Sequence, residues 1–127
     1  MIRIELPFPP SANTAYPTNK RGGRHLSKAG RLWKKEAEQI VALAVRHADV
    51  PIPFSLHIDL WMPTRARRDV DNYIKLPKDA LCSVLCFDDD YTVVPMVSVR
   101  YRGVRKGGLC VLVINEVPDE DTETEEF

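Results

Sequence analysis

Residues 54–85 read FSLHIDLWMPTRARRDVDNYIKLPKDALCSVL. The first nine alternate, with Leu56, Ile58, Leu60 and Met62 on one apolar face, which is the period of a half-buried strand. Further on, Ile74, Leu81, Val84 and Leu85 fall at helical spacing and predict a helix ending near Cys86. Pro77 removes a backbone donor. It would kink a helix begun at Asn72, or sit in one that restarts near it after a looser first turn. A strand leading into a helix is the unit of a sheet covered by helices.

The flanks extend that reading. Residues 2–6, IRIEL, predict a short strand. Residues 7–25, PFPPSANTAYPTNKRGGRH, are rich in Pro, Asn, Thr and Gly and predict a long loop, and loops of that length are often functional. Ser27 is positioned to cap a helix running to about His47, with Trp33, Ala37, Ile40, Val41, Ala44 and Val45 on its apolar face. Residues 92–102 and 108–114 predict two strands joined by a hairpin over Gly103–Gly107. The order is β-α-β-α-β-β, an α/β (α+β) single domain with two helices packed on one mixed sheet. Residues 1–115 form that domain, and the acidic stretch 116–127 predicts a disordered tail.

The chain has 127 residues and a formal net charge of zero. That balance hides a division. The last twelve residues hold seven acids and no Lys or Arg, leaving the first 115 with 18 bases against 11 acids. Five of those acids lie in two places, Asp69 with Asp71, and Asp88 to Asp90. Elsewhere the body is basic, as expected for a polyanionic partner. No apolar run approaches the ~20 residues of a membrane span. The start, MIRIELPFPP, lacks the basic and apolar regions of a signal peptide, so the expected location is the cytoplasm. Cys82, Cys86 and Cys110 are odd in number and make no framework, which fits buried, reduced thiols.

Two carboxylates one residue apart, behind Arg65, Arg67 and Arg68, allow two readings. Asp before a helix is a common N-cap, and Asx turns are abundant. Alternatively, an extended backbone aims Asp69 and Asp71 the same way, and a hard cation such as Mg²⁺ relieves their repulsion. A calcium-binding loop is excluded, because its glycine and terminal Glu are missing. A phosphatase using Asp69 as nucleophile fits poorly, since RARR separates it from the strand. The acid run 88–90 would supply a third carboxylate if the chain after the helix, or a second chain, brings it back.

The segments RRDVDNYIK and KDALCSVLCFDDDYTVV, with LPFPPSANTAY and HLSKAGRLWKKEA before them, resemble the RusA family of Holliday junction resolvases over about residues 4 to 115. The resemblance implies a homodimeric endodeoxyribonuclease that uses Mg²⁺ or Mn²⁺ and no organic cofactor or membrane, and whose partner is branched DNA. It carries the metal-dependent carboxylates onto Asp69, Asp71 and Asp90, with Asp89 the preceding acid of the pair, and the family lysine onto Lys75. Thr92 stands where the family often has Gln. DNA holding falls to Lys20, Arg21, Arg24, Lys28, Arg31, Lys34 and Lys35, with Arg65, Arg67 and Arg68, all suited to phosphate contacts. Arg100, Arg102, Arg105 and Lys106 form a second basic region. Tyr16 and Phe8 are candidates for stacking on unpaired bases, with core packing the favoured role for Phe8. A non-catalytic protein that binds branched DNA is the alternative.

Overall fold

The computed structural model describes residues 1–19, 21–85 and 88–118. Lys20, Cys86 and residues 119–127 of the acidic tail lie outside the described residues. Four strands form one sheet in the order β1 (Ile2–Leu6), β4 (Leu109–Glu116), β2 (Phe54–Met62), β3 (Met96–Val104). β4 runs antiparallel to both its neighbours, and β3 runs parallel to β2.

β2 matches its predicted bounds, and its burial alternates strictly from Phe54 to Met62. Its inward face packs beneath α2 (Lys28–Val45) and α3 (Lys75–Leu85). On the open face, His57 bridges Ser98 at 2.7 Å and Asp59 at 2.8 Å, fastening β2 to β3. Ser27 caps α2, its hydroxyl accepting from the Gly30 amide. Trp33, Ala37 and Val41 are buried along that helix, while Ala44 faces solvent.

Three expectations change. The long loop holds a short helix, α1 (Ala12–Ala15), capped by Ser11, which makes a third helix beside the predicted two. Residues 92–95 form a turn, and β3 starts at Met96. β3 and β4 do not form a hairpin. They flank β2 on opposite sides, and the connection crosses the end of β2, where the Arg105 amide donates to the Met62 carbonyl at 2.9 Å. Gly108 closes this crossing with φ +70°, and a Cβ there would lie 2.7 Å from Phe8 Cβ. Only glycine accepts both conditions.

Pro77 proves compatible with a helix. A 3₁₀ turn covers Val70–Tyr73, α3 starts afresh at Lys75, and Pro77 falls in its first turn, where amides have no intrahelical partner. No described helix is long and apolar enough to cross a membrane.

Cys82 and Cys110 are both buried. Burial pushes the Cys110 thiol up to about 12; burial, and then the nearby Asp89, push Cys82 up to about 11. Thiolate is the reactive form. Iodoacetamide at about pH 8 should therefore leave both thiols unmodified in the folded protein and alkylate both in denaturant, as read by mass spectrometry.

Candidate metal centre and nucleic-acid surface

Asp69 stands at the N-cap position of the 3₁₀ turn in extended conformation, yet its side chain makes no capping bond. Both Asp69 and Asp71 are exposed, while Val70 and Tyr73 turn inward. Among the described residues neither carboxylate has a hydrogen-bond or ion-pair partner. The capping role that would explain these acids structurally is unused at Asp69.

The loop before them is shaped by Arg68. Its guanidinium curls back, donating to the Thr64 hydroxyl at 3.0 Å and the Ala66 carbonyl at 3.1 Å. Arg65 and Arg67 remain exposed. With Arg68, Met62, Val70, Tyr101 and Val104 they border a hollow of about 220 Å³ at the C-terminal end of β2.

The acid run is tied to the other end of that strand. The Asp90 carbonyl accepts from the Val93 and Val94 amides, and Val93 accepts from the Phe54 amide at 2.9 Å. Nine residues of β2 separate these anchor points, about 26 Å at ~3.3 Å per residue. One Asp90 oxygen is spent in its own turn, accepting from the Thr92 hydroxyl and from the Thr92 amide at 2.9 Å. Those two bonds, the hydroxyl's first, hold the Asp90 carboxyl below its ordinary range. Its second oxygen takes no part in either bond.

Asp89 lies near Asp79 across a shared cleft. Asp79 is raised chiefly by burial, with the bond from Tyr16 opposing the rise and the nearby Asp89 adding to it. Asp79, Asp88, Asp89, Cys82, Ser83 and Lys34 line a cleft of about 270 Å³. Among the described residues no three acidic, His or Cys side chains come close enough to hold a metal. Among the described residues a single chain thus does not gather Asp69 and Asp71, one half of the expected centre, with Asp89 and Asp90, the other half, into a metal-holding group.

Lys75 opens α3, with Nζ 3.9 Å from Asp79 Oδ2 and 5.0 Å above the centre of the Tyr16 ring. The Tyr16 hydroxyl donates to the same Asp79 oxygen. Tyr16 is therefore tied into the fold through its hydroxyl, with Lys75 over one face of its ring. Phe8 packs against Tyr73 at 4.9 Å, as a core residue does. Asp79 is legible as an i, i+4 partner of Lys75. Nothing local points from Tyr16 to a side chain 63 residues away.

The basic loop has its own scaffold. Asn19 Oδ1 accepts from the Arg21 and Gly23 amides, both at 3.0 Å, and Thr18 bridges to Arg24. Arg21, Arg24, Lys28, Arg31 and Lys35 are exposed, Arg31 also donating to the Leu26 carbonyl at 2.8 Å. Lys34 is half-buried beside the acid cleft. In the second basic region, Arg102 stacks on Trp61 at 5.8 Å on the open face of the sheet.

Fold and site together define a class: a small α+β domain carrying an acidic centre and a cationic surface side by side. The family model for endodeoxyribonuclease RusA matches residues 7–113. The chain is 38% identical over 117 residues to the crossover junction endodeoxyribonuclease RusA of Escherichia coli O139:H28, covering 92% of this chain and 96% of that one. It is 37% identical to the protein of the same name from Escherichia coli K12 and 36% to that of Enterobacteria phage 82, with the same coverage. The chain belongs to the RusA family.

Proposed function

We propose that this protein is a homodimeric, Mg²⁺-dependent endodeoxyribonuclease that resolves four-way DNA junctions. The observation that carries the reading is the Asp69–Asp71 pair, two solvent-facing carboxylates without a partner among the described residues, beside the exposed Arg65 and Arg67. The relatives' names point to the same substrate.

Oxygen-only donors of this kind suit Mg²⁺ or Mn²⁺. Asp69, Asp71 and Asp90, with Asp89 adjacent, would hold the ion. Bound there, such an ion polarises a phosphoryl oxygen and acidifies a water molecule. The remaining work belongs to the chain. Arg65 and Arg67 bind flanking phosphates, and the basic loop and α2 hold the arms. Lys75 meets negative charge developing on the reacting phosphate.

The two halves of the centre call for a second copy. β3 is an edge strand, and Val97, Val99 and Tyr101, which share the core-facing side with Leu56, Ile58 and Leu60, are incompletely covered. Met96, Tyr101 and Val104 are 49%, 54% and 46% exposed, an apolar edge of the kind proteins pair or cover. Antiparallel pairing of two β3 strands about a two-fold axis would set the Met96 end of one against the Val104 end of the other. That arrangement brings Asp89 and Asp90 of one copy toward Asp69 and Asp71 of its partner.

The test compares labelled four-way junction, Y-fork and duplex with and without Mg²⁺. Paired, symmetric nicks confined to the junction and to Mg²⁺ are expected. A gel shift without nicks would favour a non-catalytic binder of branched DNA. Affinity should also fall at least about 10³-fold between ~50 and ~200 mM salt if six or more phosphates are contacted. A flat salt profile would remove the cationic surface from the proposal.

A further inference from the structure

The ammonium of a lysine on an exposed helix start sweeps a wide volume, because its four-carbon stem has many rotamers. Lys75 is held from two sides instead. Asp79 lies one turn further along α3, and Tyr16 comes from the segment just before the basic loop. A surface lysine–carboxylate pair at this spacing is weak alone. Here the carboxylate is fixed as well. Its side chain is only 20% exposed, it accepts from the Tyr16 hydroxyl, and the ring that supplies the hydroxyl lies under the ammonium. Each of the three groups thus limits the other two. Among the described residues no ion pair joins Lys75 to Asp69 or Asp71, although the turn bearing Asp71 leads directly into the helix that Lys75 opens.

We propose that Tyr16 and Asp79 are positioning residues: they hold the Lys75 ammonium one helical turn beyond Asp71, out of the carboxylate pair. A free ammonium at that distance would fold onto the two bare carboxylates and compete with a metal ion for them. The clamp keeps the cation available for the phosphate. This inference rests on the reading of Lys75 as the cation that meets the reacting phosphate.

Two measurements test it. Acylation by an amine-reactive ester, read by mass spectrometry and normalised to exposed Lys35, reports how freely Lys75 moves. Asp79→Asn and Tyr16→Leu should raise its labelling about two-fold, in line with the loss of a weak ion pair. Tyr16→Phe keeps the ring and should fall between, and it serves as the mild variant should the others fail to fold. Unchanged labelling in all three overturns the clamp. Single-turnover cutting of a four-way junction at saturating protein gives the second reading. Asp79→Asn should cut about ten-fold slower with unchanged junction affinity, as expected for a misplaced group. The double variant Asp79→Asn/Lys75→Met should cut no slower than Lys75→Met alone. Further slowing in the double variant would mean that Asp79 acts through something other than Lys75, which also overturns the clamp. If Lys75→Met cuts at the wild-type rate while the labelling pattern holds, the fault lies in the role given to Lys75, and the clamp loses its purpose with it.

Discussion

An equal mixture of two inactive variants, Asp71→Asn and Asp90→Asn, should nick four-way junctions although neither does so alone. Each substitution takes one negative charge from the set proposed to hold the metal ion. Each should lower cutting by about 10³-fold, equivalent to ~4 kcal/mol of transition-state stabilisation. Junction binding should survive in both, because it is proposed to rest on phosphate contacts made by the basic loop, α2 and Arg65 with Arg67. After subunit exchange about half of the dimers are mixed. If each centre is built across the two-fold axis, a mixed dimer has one centre carrying both substitutions and one carrying neither. The intact centre nicks one strand and its twin cannot nick the other, so the product is a nicked junction and not a resolved pair of duplexes. If instead each chain builds its own centre, every centre in the mixture carries one substitution and no activity returns. Wild-type cutting by Asp71→Asn alone would remove the metal role of that residue altogether.

The largest effect on stability should come from the middle of the sheet. Leu60 is fully buried on β2, between β3 and β4. Leu60→Ala removes its transfer free energy and leaves a cavity that neighbours held by two ladders cannot close. A loss of about 3 to 4 kcal/mol is expected. The urea midpoint should fall with an unchanged slope, which separates lost stability from a changed denatured state. Ser55→Ala, on the opposite face of the same strand, should move the midpoint by less than about 1 kcal/mol. A similar cost at both positions would contradict the one-sided burial of β2.

Much of this frame is written in local pattern. The alternation of residues 54–62 and the cap at Ser27 are local signals, and β2 and the start of α2 fall where they indicate. The partners of β3 and β4 are not local. Glycines between two strands look alike whether the strands pair with each other or straddle a third. The useful signal was the apolar run from Leu109 to Ile114, since a strand with neighbours on both sides tolerates apolar residues on both faces. The site divides the same way. The acids and the arginine loop are legible as motifs, and the Lys75–Asp79 spacing is helical arithmetic. Whether Asp90 meets Asp69 and Asp71 depends on chain tracing, and the role of Tyr16 depends on a contact spanning half the sequence.

The position of β4 governs when the molecule can exist at all. The last strand among the described residues is an inner strand, hydrogen-bonded to β1 on one side and β2 on the other. Synthesis proceeds from the N-terminus, and these distant pairings are the slow ones to form. Until residue 116 has left the ribosome, β1 has no neighbour and β2 lacks one of its two. The end of β2 that carries the arginine loop is then unsupported. A nascent or truncated chain that stops short of β4 therefore holds every proposed cutting residue and still lacks the frame to align them, so activity against DNA waits on that one strand.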